Sequence, residues 1–460
     1  MRLFSHMNWT QFLPGNSLSR SFTIQNVPYI AFFWLVIVVT LLSVAIINTF
    51  PFYFPDSAGY DGFAADTLRS PVPGELAHLI YGWTGPWSLP IISSAILATV
   101  IIRCIFDFQS SISLMAVLIV LILSGTTFFS SVILSDVWIV SAVGSTLALS
   151  KRLSLTALML GAVSVSGHSA NFPIIVATAV PIVLYSREKF TLMLRYAIMI
   201  LLSCFILLVS NYLASGTMFP ETFSSSIIAS KILNDVPEAL FDLCAQKPEG
   251  ALCDRIEEVR EHAHTDSSYF IWASDVGYPT LRQYSWPLAY VAVTRHAYEF
   301  LRATFNDFLR AYSPSLGIGV SGYMIRTPTD SYAYRLIDAD TGWLSRAGFF
   351  NSSMFRRAFY LIHLAFYFGL LALTASAFRS QDRYRGLFLA LICAVLANDL
   401  VFAAISGMWG RYHFRIVGIV LFALIISCGR KAECRRIAIR HDNSSPTAPP
   451  SSSSLRSGVG

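Results

Sequence analysis

The chain has 460 residues, of which 54% are hydrophobic, 14% aromatic and only 13% charged, with a formal charge of +6. Soluble globular proteins carry roughly 25% charged residues, so this composition excludes an ordinary soluble enzyme, a disordered chain and a disulfide scaffold. The apolar residues gather in runs of a length that crosses a hydrocarbon layer of about 30 Å, which points to a polytopic membrane protein of all-α class. The positive charge therefore matters by position, and no nucleic-acid partner is expected.

The first apolar run extends from Val27 to Phe50. It has no small-residue cleavage site behind it and reads as an anchoring span, preceded by a cytoplasmic segment over 1–27. Further runs cover 87–103, 112–134, 136–150, 153–168, 171–186, 196–214, 357–378, 386–408 and 412–429, giving about ten candidate transmembrane helices. Seven fall within 28–214 and three within 356–430. The stretch 136–186 is ambiguous between three full crossings and a re-entrant segment, because Gly167-His168-Ser169-Ala170-Asn171-Phe172-Pro173 interrupts it.

Cytoplasmic loops of membrane proteins are rich in Lys and Arg. With the N-terminus inside, alternation places Arg103, Lys151, Arg152, Arg187, Lys189, Arg195, Arg379, Arg383, Arg385 and the basic tail from Arg430 to Arg440 on the cytoplasmic side. The short outer segments keep only Arg69, Arg411 and Arg415, with Arg356 and Arg357 as a local exception. Both termini are expected in the cytoplasm, and a bacterial inner membrane suits this pattern. The Ser- and Pro-rich end of 431–460 reads as a disordered tail. Its basic start suits anionic membrane lipid.

Between the seventh and eighth spans lies an outer segment of about 140 residues (215–355), too long for a structureless loop. Helical patterns such as Leu288 to Arg310 predict a small helical extracytoplasmic domain. Cys244 and Cys253 fall in it, and in an oxidising compartment they are expected to form a disulfide. The other cysteines fall in spans or on the cytoplasmic side.

Polar residues beside the spans collect at one membrane face. The first outer loop reads Phe54-Pro55-Asp56-Ser57-Ala58-Gly59-Tyr60-Asp61-Gly62-Phe63. Ser135-Asp136 opens the fourth span, His168 lies in the turn between the fifth and sixth, and Arg411-Tyr412-His413 opens the tenth. Carboxylates, a histidine and an arginine on one face suit a phosphorylated, lipid-linked substrate: a carboxylate deprotonates an acceptor hydroxyl, and arginine pairs with phosphate. Each has a plainer reading, since Asp56 sits in turn chemistry and Ser135 or Asp136 suits a helix cap. Asn398 and Asp399 sit inside an apolar helix, where a carboxylate marks either function or an interhelical hydrogen bond. His262 and His264 beside Glu257, Glu258 and Glu261 read as a solvated helix face. Asp338-Ala339-Asp340 reads as a turn. No glycine-rich phosphate loop occurs.

This layout resembles the glycosyltransferase-C superfamily, polytopic membrane enzymes that use polyprenyl-phosphate-linked sugars. The resemblance rests on Pro55-Asp56-Ser57, Ser135-Asp136, Gly167-His168-Ser169-Ala170-Asn171, the stretch Ala229 to Asp235 followed by Cys244 and Cys253, and Ser406-Gly407 with Arg411-Tyr412. It covers roughly 28–430 and is similar, more narrowly, to an uncharacterised bacterial group of such proteins. It implies a bundle of that superfamily's kind, with Asp56 as catalytic base, Asp61 and Asp136 positioning the acceptor or a divalent metal, and His168, Arg411 and Tyr412 at the lipid phosphate. The implied partners are a polyprenyl-phosphate sugar donor, a glycan or lipid acceptor, and membrane lipids. Three rival functions remain open. A transporter or flippase would rely on Asp399, a surface-polysaccharide polymerase or ligase on Arg295, His296 or Arg302, and a scaffold on none of these.

Overall fold

The computed structural model describes residues 27–49, 51–52, 70–216, 224–247, 250–264, 276–313, 353–379, 384–407 and 410–444. The described residues are helical apart from turns and one isolated parallel bridge, Phe52 to Val132.

Helix α1 (Val27–Leu41) is followed by the short α2 (Ser43–Asn48). Helices α3 (Val72–Thr84) and α4 (Ser88–Asp107) are joined by a tight turn at Gly85–Trp87. Helix α5 (Leu114–Leu123) starts at Ser113, whose hydroxyl accepts from the Ala116 N–H, a standard N-cap. It stops before Gly125, at φ +70°, and the short α6 (Thr126–Ser130) follows. A side chain at Gly125 would strike the Phe359 ring at 2.5 Å. The expected span 112–134 is therefore two helices, broken where the backbone turns left-handed.

Helices α7 (Trp138–Lys151), α8 (Leu155–Ser166), α9 (Asn171–Tyr185) and α10 (Lys189–Ser215) follow one another through short connections. Every residue of α7 from Trp138 to Leu149 is buried. A helix apolar or small on all sides belongs at the centre of a bundle. At Gly144 its neighbours leave no room for a side chain: a Cβ there would lie 2.3 Å from Phe422 and 2.5 Å from Val100. The bundle is completed by α16 (Ser353–Arg379), α17 (Arg385–Ile405), the short α18 (Gly410–Phe414) and α19 (Val420–Ser444).

Among the described residues, five stretches are long and apolar enough to cross a bilayer: Val72–Asp107, Lys189–Ala214, Arg357–Arg379, Arg385–Ile405 and Tyr412–Cys434. They are compatible with an integral membrane protein. The apolar helices Val27–Leu41, Leu114–Leu123, Leu155–Ser166 and Asn171–Tyr185 are shorter. Apolar run length overestimates helix length in these cases: the first run breaks at Leu42, the run 112–134 at Ser124-Gly125, and the run 153–168 ends its helix at Gly167.

The bundle has two chemically different ends. At one, Asp107 is held by Arg103 (2.8 Å) and Arg152 (2.9 Å), and Lys151 lies over the Phe108 and Tyr384 rings. Arg195 donates to the Leu149 carbonyl there, and Tyr384 donates to Glu433. These basic residues are those expected on the cytoplasmic side. At the other end lie the start of α7, the α8–α9 turn and the later turns of α17.

A separate helical unit packs at that second end. It consists of α11 (Ser224–Asp235), α12 (Glu238–Gln246), α13 (Ile256–His262), α14 (Tyr278–Arg295) and α15 (Ala297–Arg310). Leu233, Leu240, Leu252, Val259, Leu281 and Leu288 form its own apolar core. The Cys244–Cys253 disulfide (S–S 2.00 Å) closes it. The helical pattern expected over Leu288 to Arg310 is interrupted at His296, which separates α14 from α15.

Candidate functional site

Asp136 sits in the turn before α7 and does not cap that helix, whose N-cap is Val137. Its carboxylate is buried and meets Arg415, with Arg415 Nη1 3.5 Å from Asp136 Oδ1. Arg415 follows α18 and is one of the largest fully buried side chains. Its Nε donates to Asn398 Oδ1 at 3.1 Å, and its Nη2 to Asn171 Oδ1 at 3.4 Å. The guanidinium carbon lies 4.3 Å from the centre of the Phe402 ring. A buried guanidinium needs charge, hydrogen bonds and a polarisable face together, and this site supplies all three.

Each partner is itself held. Asn171, at the start of α9, donates to the Ser164 carbonyl at 3.0 Å. Asn398 donates to the Tyr412 carbonyl at 2.7 Å and to Asp399 Oδ1 at 3.1 Å. Ser135 donates to the Gly167 carbonyl at 3.2 Å. The network thus draws together the turns before α7 and α9, the interior of α17 and the segment after α18. Asp136 Oδ2 is buried and has no hydrogen-bond partner among the described residues.

Next to it, Asp399 anchors a second cluster. Its Oδ2 accepts from the Tyr312 hydroxyl at 2.8 Å and lies 3.0 Å from His413 Nδ1. Both Asp399 and His413 are buried. The Tyr312 and Tyr367 rings each lie 5.2 Å from the His413 ring. The Tyr367 hydroxyl is buried without a partner among the described residues. Burial, with the neighbouring Asp399 carboxylate, pushes the Tyr312 hydroxyl above its ordinary range, so Tyr312 stays a donor. Tyr312 follows α15, so this bond ties the disulfide-closed unit to the interior of α17.

Among the residues expected at a lipid phosphate, His168 is half-buried. Its Nδ1 accepts from the Ala170 N–H at 3.1 Å, which puts the proton of a neutral ring on Nε2. Its ring meets Phe402 edge-on at 5.7 Å. Tyr412 is buried, stacked on Phe402 at 4.0 Å. Arg411 lies within α18.

Asp56 and Asp61 lie outside the described residues, but both flanks of their loop are placed. Phe52 donates to the Ser131 carbonyl and accepts from the Ile133 N–H, each at 3.0 Å. Ser70 donates to the Ser166 carbonyl at 2.6 Å. The loop therefore leaves beside the segment that leads to Asp136 and returns beside the segment that leads to His168.

Among the described residues no group of three or more His, Cys, Asp or Glu could hold a metal ion. Arg295 and His296 lie near Asp242, at 3.3 and 3.4 Å. Asp338 and Asp340 lie outside the described residues.

Sequence reading gives no place to Tyr312 or Tyr367, names Asn171 and His413 only within their motifs, and counts Arg415 among the outer arginines. Arg415 carried a usable signal: it is a cation within the apolar stretch Tyr412–Cys434, and an intramembrane cation is a site by default. Counting it with the outer-loop arginines hid that. Comparison with family models, curated proteins and solved structures gives no significant match.

Proposed function

We propose that the chain is a membrane glycosyltransferase that moves a sugar from a polyprenyl-phosphate donor to an envelope glycan or lipid acceptor. One observation carries this reading. The two flanks of the Asp56 loop, the Asp136 turn, the His168 turn and the Arg411–Arg415 segment converge at the end of the bundle opposite the basic cluster. Asp56 follows Phe52 by four residues, a tether of at most about 14 Å.

In this reading Asp56 takes the proton of an acceptor hydroxyl. The acceptor oxygen bonds to the anomeric carbon, and the bond from that carbon to the lipid phosphate oxygen breaks. The polyprenyl phosphate leaves with the electron pair. Arg411 and His168 hold that phosphate as its charge develops, which stabilises the transition state more than the ground state. Tyr412, with its ring stacked and its carbonyl bonded to Asn398, fixes the backbone beside Arg411. Asp61 positions the acceptor. Asp136 acts through Arg415: the pair braces the turns that carry His168 and Arg411.

The test uses the full chain in nanodiscs with a panel of polyprenyl-phosphate sugars, adds an envelope extract that supplies glycan and lipid acceptors, and reads released polyprenyl phosphate. The wild type releases it from at least one donor, and Asp56→Asn releases none. Release by Asp56→Asn at the wild-type rate would remove Asp56 as base.

A second reading, a transporter of a lipid-linked or polar solute, is favoured by one feature. Asp399, His413 and Tyr312 form a buried titratable cluster within the bundle. It predicts that Asp399→Asn alone abolishes function.

A further inference from the structure

Helix α15 is inside out for a helix in water. Its 14 residues are strongly amphipathic, yet Thr304 and Asp307 are the ones buried. Tyr298, Leu301, Phe305 and Leu309 are exposed, from 50% to 70% of their surface. Their spacing of three to four residues makes one stripe along the helix. On the inner side, Asp307 meets the buried Lys231 and, at 3.2 Å, Arg310. Helix α14 continues the pattern: Leu281, Ser285, Leu288 and Ala292 face inward, while Trp286, Tyr290 and Val293 are exposed.

The rest of the unit is of opposite character. Around α13 the exposed side chains are charged: Arg260 pairs with Glu257 at 2.8 Å, and Arg255 holds the Glu258 carboxyl below its usual range. The unit therefore has a charged face and an aromatic face, and the charged one suits water.

Two observations say what covers the aromatic face. Helix α15 packs against α17, one of the stretches long enough to cross a bilayer. At its C-terminal end Tyr312 reaches Asp399, six residues before the end of α17 at Ile405, a depth of about 9 Å along the helix. Interfacial helices insert their apolar faces about 5–10 Å into the headgroup and acyl boundary. Trp and Tyr are enriched at that level, and arginines there extend to headgroups. Arg302 is exposed on α15, next to this stripe in sequence.

We propose that α14 and α15 lie in the lipid leaflet at this end of the bundle, with Trp286, Tyr290, Leu301 and Phe305 in contact with lipid. The disulfide-closed unit is then a monotopic platform seated in the interface, with its α13 face in water. This does not depend on the glycosyltransferase reading.

The test places an environment-sensitive fluorophore on the full chain in phosphatidylcholine and phosphatidylglycerol nanodiscs. The label goes on Leu301→Cys, Phe305→Cys or, as the water-facing control, Glu257→Cys, each compared with the labelled parent. All three sites are exposed, so folding is retained, and size-exclusion elution identical to the parent verifies it. The expected result is a blue-shifted emission at 301 and 305, quenched by doxyl-labelled lipid and spared by aqueous iodide, with the reverse at 257. Quenching by iodide at 301 and 305 overturns the proposal in favour of a water-facing surface. Protection from both quenchers overturns it in favour of a covering protein or a second copy.

Discussion

The Arg415 guanidinium and the Asp136 carboxylate, 279 residues apart in sequence, meet at 3.5 Å in the interior of the bundle. Both are buried, and both lie beside the segments that carry the candidate site. Removing one partner of such a pair leaves an uncompensated charge, which costs about 3–5 kcal/mol. Arg415→Met and Asp136→Leu are each expected to lower the unfolding temperature of the purified protein sharply. The double variant is expected to recover part of the loss, and thermal unfolding of the four proteins of the cycle checks it.

The Tyr312–Asp399 hydrogen bond ties the disulfide-closed unit to α17. A hydrogen bond to a charged group is worth about 1.5–3 kcal/mol. Tyr312→Phe is expected to leave the fold intact but to speed hydrogen exchange in α15, with α7 unchanged. Equal protection of α15 in both proteins would mean that the tie contributes nothing.

Gly167 packs under the Trp138 ring, where a Cβ would lie 2.3 Å from Cε3. Trp138 cannot move away freely, because it is fully buried and its indole N–H donates to Ser93 Oγ at 2.8 Å. Gly167→Ala is expected to destabilise by about 1–3 kcal/mol, the usual cost of overpacking. Combining it with Trp138→Phe is expected to relieve part of the strain, measured as recovery of the unfolding temperature.

The Cys244–Cys253 bond closes a loop of sequence separation 9. Chain entropy assigns a loop of that size about 2.6 kcal/mol. Cys244→Ser with Cys253→Ser is expected to raise protease cleavage within 224–264 and to leave the bundle helices resistant. Limited proteolysis with mass mapping of the fragments distinguishes the two.

How much of this was legible in the sequence depended on the range of the interaction. The helical class, the compatibility with a membrane and the cysteine pair follow from composition and short spacing, and the structure carries them. The number of crossings was harder to derive from hydropathy. Hydropathy does not separate a bilayer-facing helix from α7, whose twelve residues from Trp138 to Leu149 are buried on every side. The split at Gly125 depends on its contact with Phe359, far along the chain. Asp136 stands out in the sequence at the start of a span, where a helix cap is its plain local reading. Its true partner, Arg415, is set by tertiary packing that no local pattern encodes. Asn398 and Asp399 stand out in the sequence as polar residues within an apolar run, yet Tyr312 and His413, which meet Asp399, come from two other segments.

The central claim is sugar transfer with Asp56 as base, and one measurement tests it most directly. A host strain lacking this protein is complemented with the wild type, Asp56→Asn or Asp399→Asn, and its envelope glycans and glycolipids are weighed by mass spectrometry. One sugar mass is expected to be missing without the protein, to return with the wild type, and to stay missing with Asp56→Asn while Asp399→Asn restores it at least in part. Full restoration by Asp56→Asn with none by Asp399→Asn would contradict the account and move the function to the buried cluster around Asp399.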